Sequence, residues 1–466
     1  MQGGTDHAPA PVPAAEPPDG RGRVPGERRE AARRRPPGRR APTGVTGPRR
    51  AAFLPAREDT SPVGARLVGS PSLPRVLYLT HRVPYPPDKG DRIRTYHLLR
   101  QMAARGRVWL GCLADEAVPP ETLAALNGLC ERVAVVPVGA RTRWLRAGLS
   151  LATGASLSEG LFRSHQLART LSAWAAETVF AAAVASSSAL VPYLRLPALR
   201  HVPAVVDLID VDSEKWLDFA AASRPPKRWL YRLESARVRK VEKALAGRVR
   251  AASVVSRAEA QVYDSFTHAG AATVATNGVD LDYFAPAGCE QQQACAFVGA
   301  LDYLPNEDAA VWFARDVWPE VHARFPHAEF RIIGRKPSPA VRALAHLPGV
   351  KLVGQVPDVR PFVASSSVVV VPLRLARGVQ NKVLEAMAMA KAVVAAPPAL
   401  AALGTEPGVH LLSAASREDW VRGVSELFTD AARRQELGAA ARKYVEQHHH
   451  WERCLLPLAD AIFAQP

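Results

Sequence analysis

The segment from Leu375 to Pro397 places a cation, amides and a carboxylate around the expected start of a helix. Its loop reads LARGVQNK, and the helical pattern begins at about Lys382. The first turn of a helix has free N–H groups and a partial positive charge, so it attracts anions. Asn381 adds a donor and Lys382 a full charge, which suits a diphosphate, while Glu385 could accept hydrogen bonds from sugar hydroxyls. The alternative is that Glu385 only complements the helix dipole.

A second segment with chemical potential is PPDKGDRIR, residues 86–94, which follows an apolar run expected to be a strand. Gly90 would let backbone approach a ligand closely, because it has no Cβ. Arg92 and Arg94 would face either a ligand or the solvent-exposed side of the helix that follows. The segment is therefore a candidate for substrate binding through Gly90, Arg92 and Arg94.

Two further expected strand ends carry charged side chains. Arg335 and Lys336 follow a strand that ends at Gly334 in IIGRKPSP, and cations there suit an anionic ligand. VVDLIDVDSEKW ends another strand and includes Asp210 and Asp212. Either carboxylate could orient a hydroxyl group of a ligand, and an N-cap role for Asp212 or Ser213 is the alternative.

These segments lie in a repeated pattern of strand, loop and helix. Short β-branched runs alternate with helical segments, which favours right-handed βαβ units and a parallel sheet. The pattern restarts near residues 273–286, so we expect two parallel-sheet units of roughly 200 and 170 residues. Ligands of open α/β sheets bind at the carboxyl ends of the strands, and here those ends should face each other across a cleft. The runs of the first unit are RVLYLT, RVWLGCLA, RVAVVPV, AAAVASSS, AVVDLID and AASVVS.

Composition separates an N-terminal arm from the folded part. The first 75 of the 466 residues carry 14 Lys or Arg, 7 Asp or Glu and 14 prolines, with few aromatic residues. Such a segment buries too little apolar surface to offset its ordering entropy, so residues 1–74 are predicted to be disordered. The remaining chain has 46 Lys or Arg against 37 Asp or Glu, an excess that favours anionic partners.

Other patterns argue against a metalloprotein or a membrane-spanning protein. The five cysteines form no CxxC pair and suit a reducing compartment. The adjacent histidines 448–450 would point in different directions on a helix, so no metal site is expected there. No run approaches the roughly 20 apolar residues that span a bilayer.

Taken together, five blocks in order over about 300 residues resemble the GT-B glycosyltransferases of family 4, the glycosyl transferases group 1. The resemblance is strongest to the sugar transferase subfamily associated with PEP-CTERM and exopolysaccharide systems. It implies an α/β GT-B fold with an acceptor domain at 75–272, a donor domain at 273–450 and a terminal helix at 451–466 that packs back on the first domain. The blocks are HRVPYPPDKGDRIRTYHLL, VVDLIDVDSEKW, FVGALDYLPNEDAAVWF, RIIGRKPSPAV and RLARGVQNKVLEAMAM.

The resemblance also implies an activity. A sugar would be transferred from a nucleoside-diphosphate sugar to a glycan or polyprenyl-linked acceptor, with retention of the anomeric configuration. The reaction would belong to exopolysaccharide biosynthesis and would involve no cofactor and no nucleic acid partner. The leaving phosphate would then take the acceptor proton. The alternatives are a nucleotide-sugar epimerase on the same fold and a non-catalytic nucleotide-sugar binding protein.

Site residues follow from the same resemblance. Glu385 corresponds to the family glutamate that binds ribose, whereas Arg377 stands where many members have another glutamate. Arg377 could instead bind a phosphate or a carboxylate, and we assign catalytic roles to Asp210 and Arg377. The usual cation pair is missing from GALDYLPNED, which has Asn306, so Arg335 and Lys336 could substitute for it.

A basic helix is expected within residues 224–252. It could rest on an anionic membrane surface, or it could pack on the core with a solvated basic back. The predicted location is the cytoplasm. Peripheral contact at the inner face of the plasma membrane, through the basic helix, is the open alternative.

Overall fold

The computed structural model describes residues 73–88, 90–268, 272–289 and 291–465. The prediction for residues 1–74 therefore lies outside the described residues, except for Leu73 and Pro74. Within the described part the strands are β1 (Arg75–Thr80), β2 (Arg107–Ala114), β3 (Arg132–Pro137), β4 (Ala182–Ser186), β5 (Ala204–Ile209), β6 (Ala251–Val254), β7 (Thr273–Val274), β8 (Gln292–Val298), β9 (Glu329–Ile333), β10 (Val350–Gly354), β11 (Ser366–Val371), β12 (Ala392–Ala395) and β13 (Leu412–Ser413).

Helices connect nearly all of these strands. They are α1 (Gly90–Arg105), α2 (Pro120–Leu129), α3 (Ala140–Ala152), α4 (Leu157–Leu161), α5 (His165–Glu177), α6 (Val191–Leu194), α7 (Asp212–Ala221), α8 (Lys227–Lys243), α9 (Arg257–Thr267), α10 (Leu304–Trp312), α11 (Trp318–Arg324), α12 (Pro339–Arg342), α13 (Arg360–Ser365), α14 (Asn381–Ala388), α15 (Pro397–Leu400), α16 (Arg417–Thr429), α17 (Ala431–His448) and α18 (Trp451–Phe463).

The strands form two separate sheets in which every recorded pairing is parallel. The first sheet has the order β3-β2-β1-β4-β5-β6-β7 and the second has the order β10-β9-β8-β11-β12-β13. Each order reverses direction once, between β1 and β4 and between β8 and β11, and such switch points are where open α/β sheets bind ligands. The predicted fold class, two Rossmann-like parallel-sheet domains, is confirmed.

Burial on both sheet faces explains why the strands read as apolar runs. Val368, Val370 and Val371 of β11 are fully buried, as are Leu77 and Leu79 of β1. A parallel sheet covered by helices on both faces selects continuous β-branched and aliphatic residues. The core therefore lies in helix–sheet–helix layers within each domain.

The element bounds differ from the sequence predictions at a few points. β7 pairs with β6 and so belongs to the first sheet, two residues beyond the expected boundary at 272/273. The basic helix α8 is shorter than the range 224–252. The terminal helix α18 places Trp451, Leu455 and Leu458 in the core beside β1 and α1, in the first domain. No helix among the described residues is long and apolar enough to cross a membrane.

Candidate functional site

The two switch points bring the N-termini of α1 and α14 close together. A Cβ atom on Gly90, at the start of α1, would lie 3.9 Å from the Nδ2 atom of Asn381, at the start of α14. The Nδ2 atom of Asn277 donates to Asn381 Oδ1 at 2.9 Å and so ties the interdomain linker to α14. Because the N-terminus of a helix has free N–H groups and a partial positive charge, two neighbouring N-termini favour an anion between them. The fold thus brings together Gly90 and Asn381, which come from separate sequence segments.

Lys382 places a cation beside this gap. Its Nζ atom donates to Asn306 Oδ1 at 2.5 Å and lies 5.1 Å from the centre of the Phe297 ring. Asn306 is held in place because its Nδ2 atom donates to the Ala300 carbonyl at 2.9 Å. Burial lowers the pKa of Lys382 to about 8, while the negative charge of Glu385 acts in the opposite direction. Asn306 therefore orients the Lys382 ammonium group, and no carboxylate forms an ion pair with it among the described residues.

Glu385 lines a small recess with mostly apolar walls. Its carboxylate has no hydrogen bond or ion pair among the described residues, and burial raises its pKa to about 7. The recess has a volume of about 250 Å³. A lone acceptor in an apolar recess can accept hydrogen bonds from a ligand's hydroxyls and gains more from them than it would in water. The other lining residues are Phe284, Val298, Val359, Val363, Val369, Lys382, Ala386 and Met389.

A larger recess of about 430 Å³ lies between the domains, and it contains both residues predicted to be catalytic. Asp210 and Lys215 contribute from the first domain, and Asn306, Arg377 and Gln380 from the second. This cleft recess lies at the carboxyl end of β5 and after β11, as expected for a ligand site in this topology. Its full lining is Asp210, Lys215, Asp218, Phe219, Tyr303, Pro305, Asn306, Leu373, Leu375, Ala376, Arg377 and Gln380.

Strained backbone aims the Asp210 carboxyl group into the domain interface. Ile209 has a φ of 70°, and the Asp210 N–H donates to the Leu208 carbonyl at 2.9 Å in a tight turn. Asp210 Oδ1 is buried without a hydrogen-bond partner among the described residues, and burial raises its pKa to about 6. A Cβ on Gly378, which has a φ of 60°, would lie 2.0 Å from Oδ1. Only glycine lets the loop of the second domain approach this carboxyl group so closely.

Arg377 links the two domains. Its guanidinium donates to Asp218 and, at 3.2 Å, to Glu259, and it lies 3.7 Å from Glu214. All three carboxylates belong to the first domain, on α7 and α9. The sequence analysis gave Arg377 a phosphate or a ligand carboxylate as partner, but in this structure protein carboxylates surround it. Its position in the cleft recess is as expected, while its observed contacts hold the domains together.

Two of the predicted arginines do not reach the cleft. Arg94 is 1% exposed, and its Nε and Nη2 atoms donate to the two oxygens of Asp207 at 2.8 and 2.9 Å. Its Nη1 atom donates to Asn277 Oδ1 at 2.9 Å. Arg92 is also buried and donates to Asp88 and Glu116. Protein carboxylates neutralise both guanidinium groups, so the contacts that this structure gives Arg92 and Arg94 are structural, and their binding of substrate stays a prediction.

Arg335 and Lys336 lie at the carboxyl end of β9, but they line neither recess. Arg335 is partly exposed and Lys336 is exposed, and neither side chain has a recorded hydrogen bond or ion pair among the described residues. Lys382, the second residue of α14, is instead the cation beside the helix gap. Sequence reasoning noted Asn306 only as the replacement for a missing cation, and it assigned no role to Asn277. Their contacts with Lys382 and Asn381 depend on the packing of distant segments.

The aspartate-rich end of β5 serves several separate contacts. The N-cap of α7 is Val211, so neither Asp212 nor Ser213 has the alternative capping role. Asp212 Oδ2 accepts a hydrogen bond from Ser188 at 2.8 Å, and Ser213 is buried against Glu242. Within the described ranges no group of three or more His, Cys, Asp or Glu side chains could hold a metal ion.

Comparison with known protein families matches one part of the chain, in the second domain. Residues 292–430 match the family described as glycosyl transferases group 1. No curated protein matches the chain. The match covers most of the second domain, including α14 and all second-domain residues that line the two recesses except Phe284.

Solved structures match over nearly the whole described chain. Sucrose-phosphate synthase from Thermosynechococcus elongatus is 15% identical, with a TM-score of 0.61 over 83% of this chain and 98% of that chain. Anabaena Alr3699/HepE in complex with UDP and glucose is 13% identical, with a TM-score of 0.59 over 84% and 100%. An α,α-trehalose-phosphate synthase (UDP-forming) from Burkholderia vietnamiensis is 14% identical, with a TM-score of 0.56 over 83% and 99%. The chain therefore has the GT-B fold of these glycosyltransferases, and its second domain matches the glycosyl transferases group 1.

Proposed function

We propose that the protein is a glycosyltransferase that moves a sugar from a nucleoside-diphosphate sugar to a glycan or polyprenyl-linked acceptor. The observation that carries the proposal is the joint placement of the α14 N-terminus, Lys382 and Glu385 beside the cleft. A nucleotide needs a cationic site for its phosphates and an acceptor for its ribose hydroxyls, and these groups supply both. The structure of Anabaena HepE, which holds UDP and glucose, supports the same class of donor.

In the proposed reaction the donor binds on the second-domain side of the cleft and the acceptor on the first-domain side. The bond between the anomeric carbon and the phosphate oxygen breaks, and its electron pair stays on the diphosphate. The helix N-terminus and Lys382 stabilise that charge as it develops. The acceptor hydroxyl oxygen forms the new bond to the anomeric carbon, and its proton passes to the departing phosphate. Asp210 is positioned to orient this hydroxyl from the first domain.

The finer assignments rest on the family resemblance. We propose a retaining course, a role in exopolysaccharide biosynthesis and a cytoplasmic location, with contact at the inner face of the plasma membrane. NMR spectroscopy of the product would establish its anomeric configuration. An inverted product would contradict the retaining course without affecting the donor assignment.

The central test is transfer by the purified full chain over a panel of UDP-, GDP- and dTDP-sugars, with nucleotide binding followed by calorimetry. We expect at least one nucleotide to bind and its sugar to appear in a glycoside. Failure to bind any nucleotide would overturn the proposal. A free epimer as product would identify an epimerase instead, and binding without turnover would identify a non-catalytic binding protein.

Nucleotide affinity should depend on pH through two groups with shifted pKa values. Glu385 has a pKa raised to about 7, so its carboxylate is present above that pH, and Lys382 has a pKa lowered to about 8, so its charge is present below that pH. UDP affinity should therefore be highest between these values and fall by up to about tenfold per pH unit on either side.

Matched variants assign the fall in affinity at acidic pH and the fall at alkaline pH to one group each. In Glu385→Gln, UDP affinity should no longer fall much at acidic pH but should still fall at alkaline pH. In Lys382→Met, it should still fall at acidic pH but no longer fall much at alkaline pH. The nucleotide's own phosphate takes up a proton near pH ~6, and that contribution remains in both variants. Equal wild-type affinity at all pH values from 6.5 to about 9 would contradict the assignment of both groups to the donor site.

A further inference from the structure

Two helices of the first domain expose large apolar side chains to solvent. On α3, Leu145 is 75% exposed, and Trp144 and Leu149 are similarly open. On α8, Trp229 is 64% exposed. Scattered apolar residues are normal on a protein surface, but clustered tryptophans and leucines indicate an interaction site. Leu230 and Leu233 of α8 belong to the same set.

The apolar side of α3 faces away from the domain. Its opposite side is buried, since Ala147 and Ser150 pack against α4, where a Cβ on Gly160 would lie 2.7 Å from Ala147 Cα. A Cβ on Gly148 would meet nothing within 4 Å. The outward side, which carries Trp144, Leu145 and Leu149, is therefore not required for the packing of the described domain.

Charge is sorted between the two sides of α8. Glu234 and Glu242, the acidic residues of this helix, are fully buried. Glu234 accepts hydrogen bonds from the Leu157 and Ser158 backbone N–H groups, and Glu242 accepts them from Ser213. The exposed cations have no carboxylate partner among the described residues, and they are Lys227, Arg232, Lys240 and Lys243.

The two helices belong to one layer of the domain. The Glu234 carboxylate of α8 caps α4 at 2.6 Å from Leu157 N, and α4 in turn packs on α3. Arg237 Nη1 of α8 donates to the Ala155 carbonyl, just after α3, at 2.8 Å. We call the exposed set the α3–α8 surface. It consists of Trp144, Leu145, Leu149, Trp229, Leu230 and Leu233 with the cations Lys227, Arg232, Lys240 and Lys243.

We propose that the α3–α8 surface docks on an anionic lipid bilayer. Tryptophan and leucine side chains insert at the boundary between headgroups and acyl chains, while lysine and arginine bind the anionic headgroups. A second copy of the chain is a poorer occupant. A twofold interface would bring the same unpaired cations against each other, and like charges in an interface oppose association. Docking goes beyond the proposed reaction and does not depend on it.

The test is flotation of the full chain with vesicles of phosphatidylglycerol and phosphatidylcholine, compared with vesicles of phosphatidylcholine alone. The double variant Trp144→Ser, Leu145→Ser should bind the anionic vesicles at least ~10-fold more weakly, because both apolar side chains are lost. The double variant Arg232→Gln, Lys240→Gln should bind about 25-fold more weakly, at roughly fivefold for each cation. The Arg-rich first 72 residues are the same in every variant, so differences report the two helices.

The matched control is Val179→Ser, which removes an apolar side chain that is 89% exposed outside the surface. It should bind vesicles like the wild type. All variants should keep the wild-type unfolding temperature, because the substituted side chains are exposed. Equal vesicle binding by wild type and both double variants would overturn the proposal, as would no binding by the wild type. A dimer in sedimentation velocity that the variants lose would identify a second copy as the occupant instead.

Discussion

Replacing Arg94 with methionine is expected to lower the free energy of unfolding of the first domain by roughly 3–5 kcal/mol. The two partners of this ion pair are almost fully excluded from solvent, with Arg94 1% and Asp207 0% exposed. The guanidinium satisfies both oxygens of Asp207, and Ser253 Oγ donates to the same carboxylate at 2.7 Å. Removal of Arg94 leaves a buried carboxylate without its countercharge, and that desolvation cost dominates the effect.

Urea denaturation followed by tryptophan fluorescence measures the change. The matched control is Arg105→Met on the same helix, where an exposed pair with Asp460 at 2.8 Å should contribute less than about 1 kcal/mol. The double variant Arg94→Met, Asp207→Leu should recover much of the loss, because it removes both charges. If Arg94→Met and Arg105→Met unfold at the same urea concentration, the buried pair does not hold the domain together as inferred.

Arg94 also shows where sequence reasoning fails. Its position in PPDKGDRIR favours a cleft-facing cation, since local spacing cannot reveal a partner that lies 113 residues away in Asp207. The same holds for Arg377, whose partner Asp218 is 159 residues away on the other domain. Their partners depend on how β5, the linker and the two domains pack, and no local pattern encodes that packing.

The elements themselves could be predicted because their signals are local. Continuous apolar runs such as VVVV in β11 predict buried parallel strands, and the helix start at Asn381 follows from the loop before it. Lys382 and Glu385 lie one helical turn apart, so their shared side of α14 also follows from sequence. The outward face of α3 could not be predicted in the same way. Trp144, Leu145 and Leu149 fit a core-facing helix equally well until the packing of α4 is known.

The N-termini of α1 and α14 meet through a further long-range contact. Asn277 contacts Arg94 of the first domain and Asn381 of the second, so one amide side chain joins the buried ion pair to the N-terminus of α14. His449 Nδ1 lies 2.8 Å from the Asn277 carbonyl oxygen and fixes the same linker from the C-terminal side. The position of the candidate anion site therefore depends on the first domain as well as on α14.

Replacing Glu385 with alanine is expected to weaken nucleotide binding by at least ~10-fold. If Glu385 accepts hydrogen bonds from two ribose hydroxyls, its loss removes two charge-assisted bonds, each of roughly 1.5–3 kcal/mol. Glu385→Gln should be nearly as harmful, because an amide oxygen accepts more weakly than a carboxylate. Folding should barely change, since burial already raises the pKa of this carboxyl group to about 7 and its charge is not paired in the described structure.

Calorimetry with UDP and UMP separates Glu385 from Lys382. Glu385→Ala should reduce the affinity for both nucleotides by the same factor, because both carry the same ribose. Lys382→Ala should reduce UDP binding more than UMP binding if its Nζ atom, now 2.5 Å from Asn306 Oδ1, turns to the distal phosphate. The alternative is that Glu385 only complements the helix dipole, and it predicts no change in affinity for either nucleotide. If Glu385→Ala bound both nucleotides with wild-type affinity, the assignment of the donor site to α14 would be wrong. The GT-B fold would not be affected by that result.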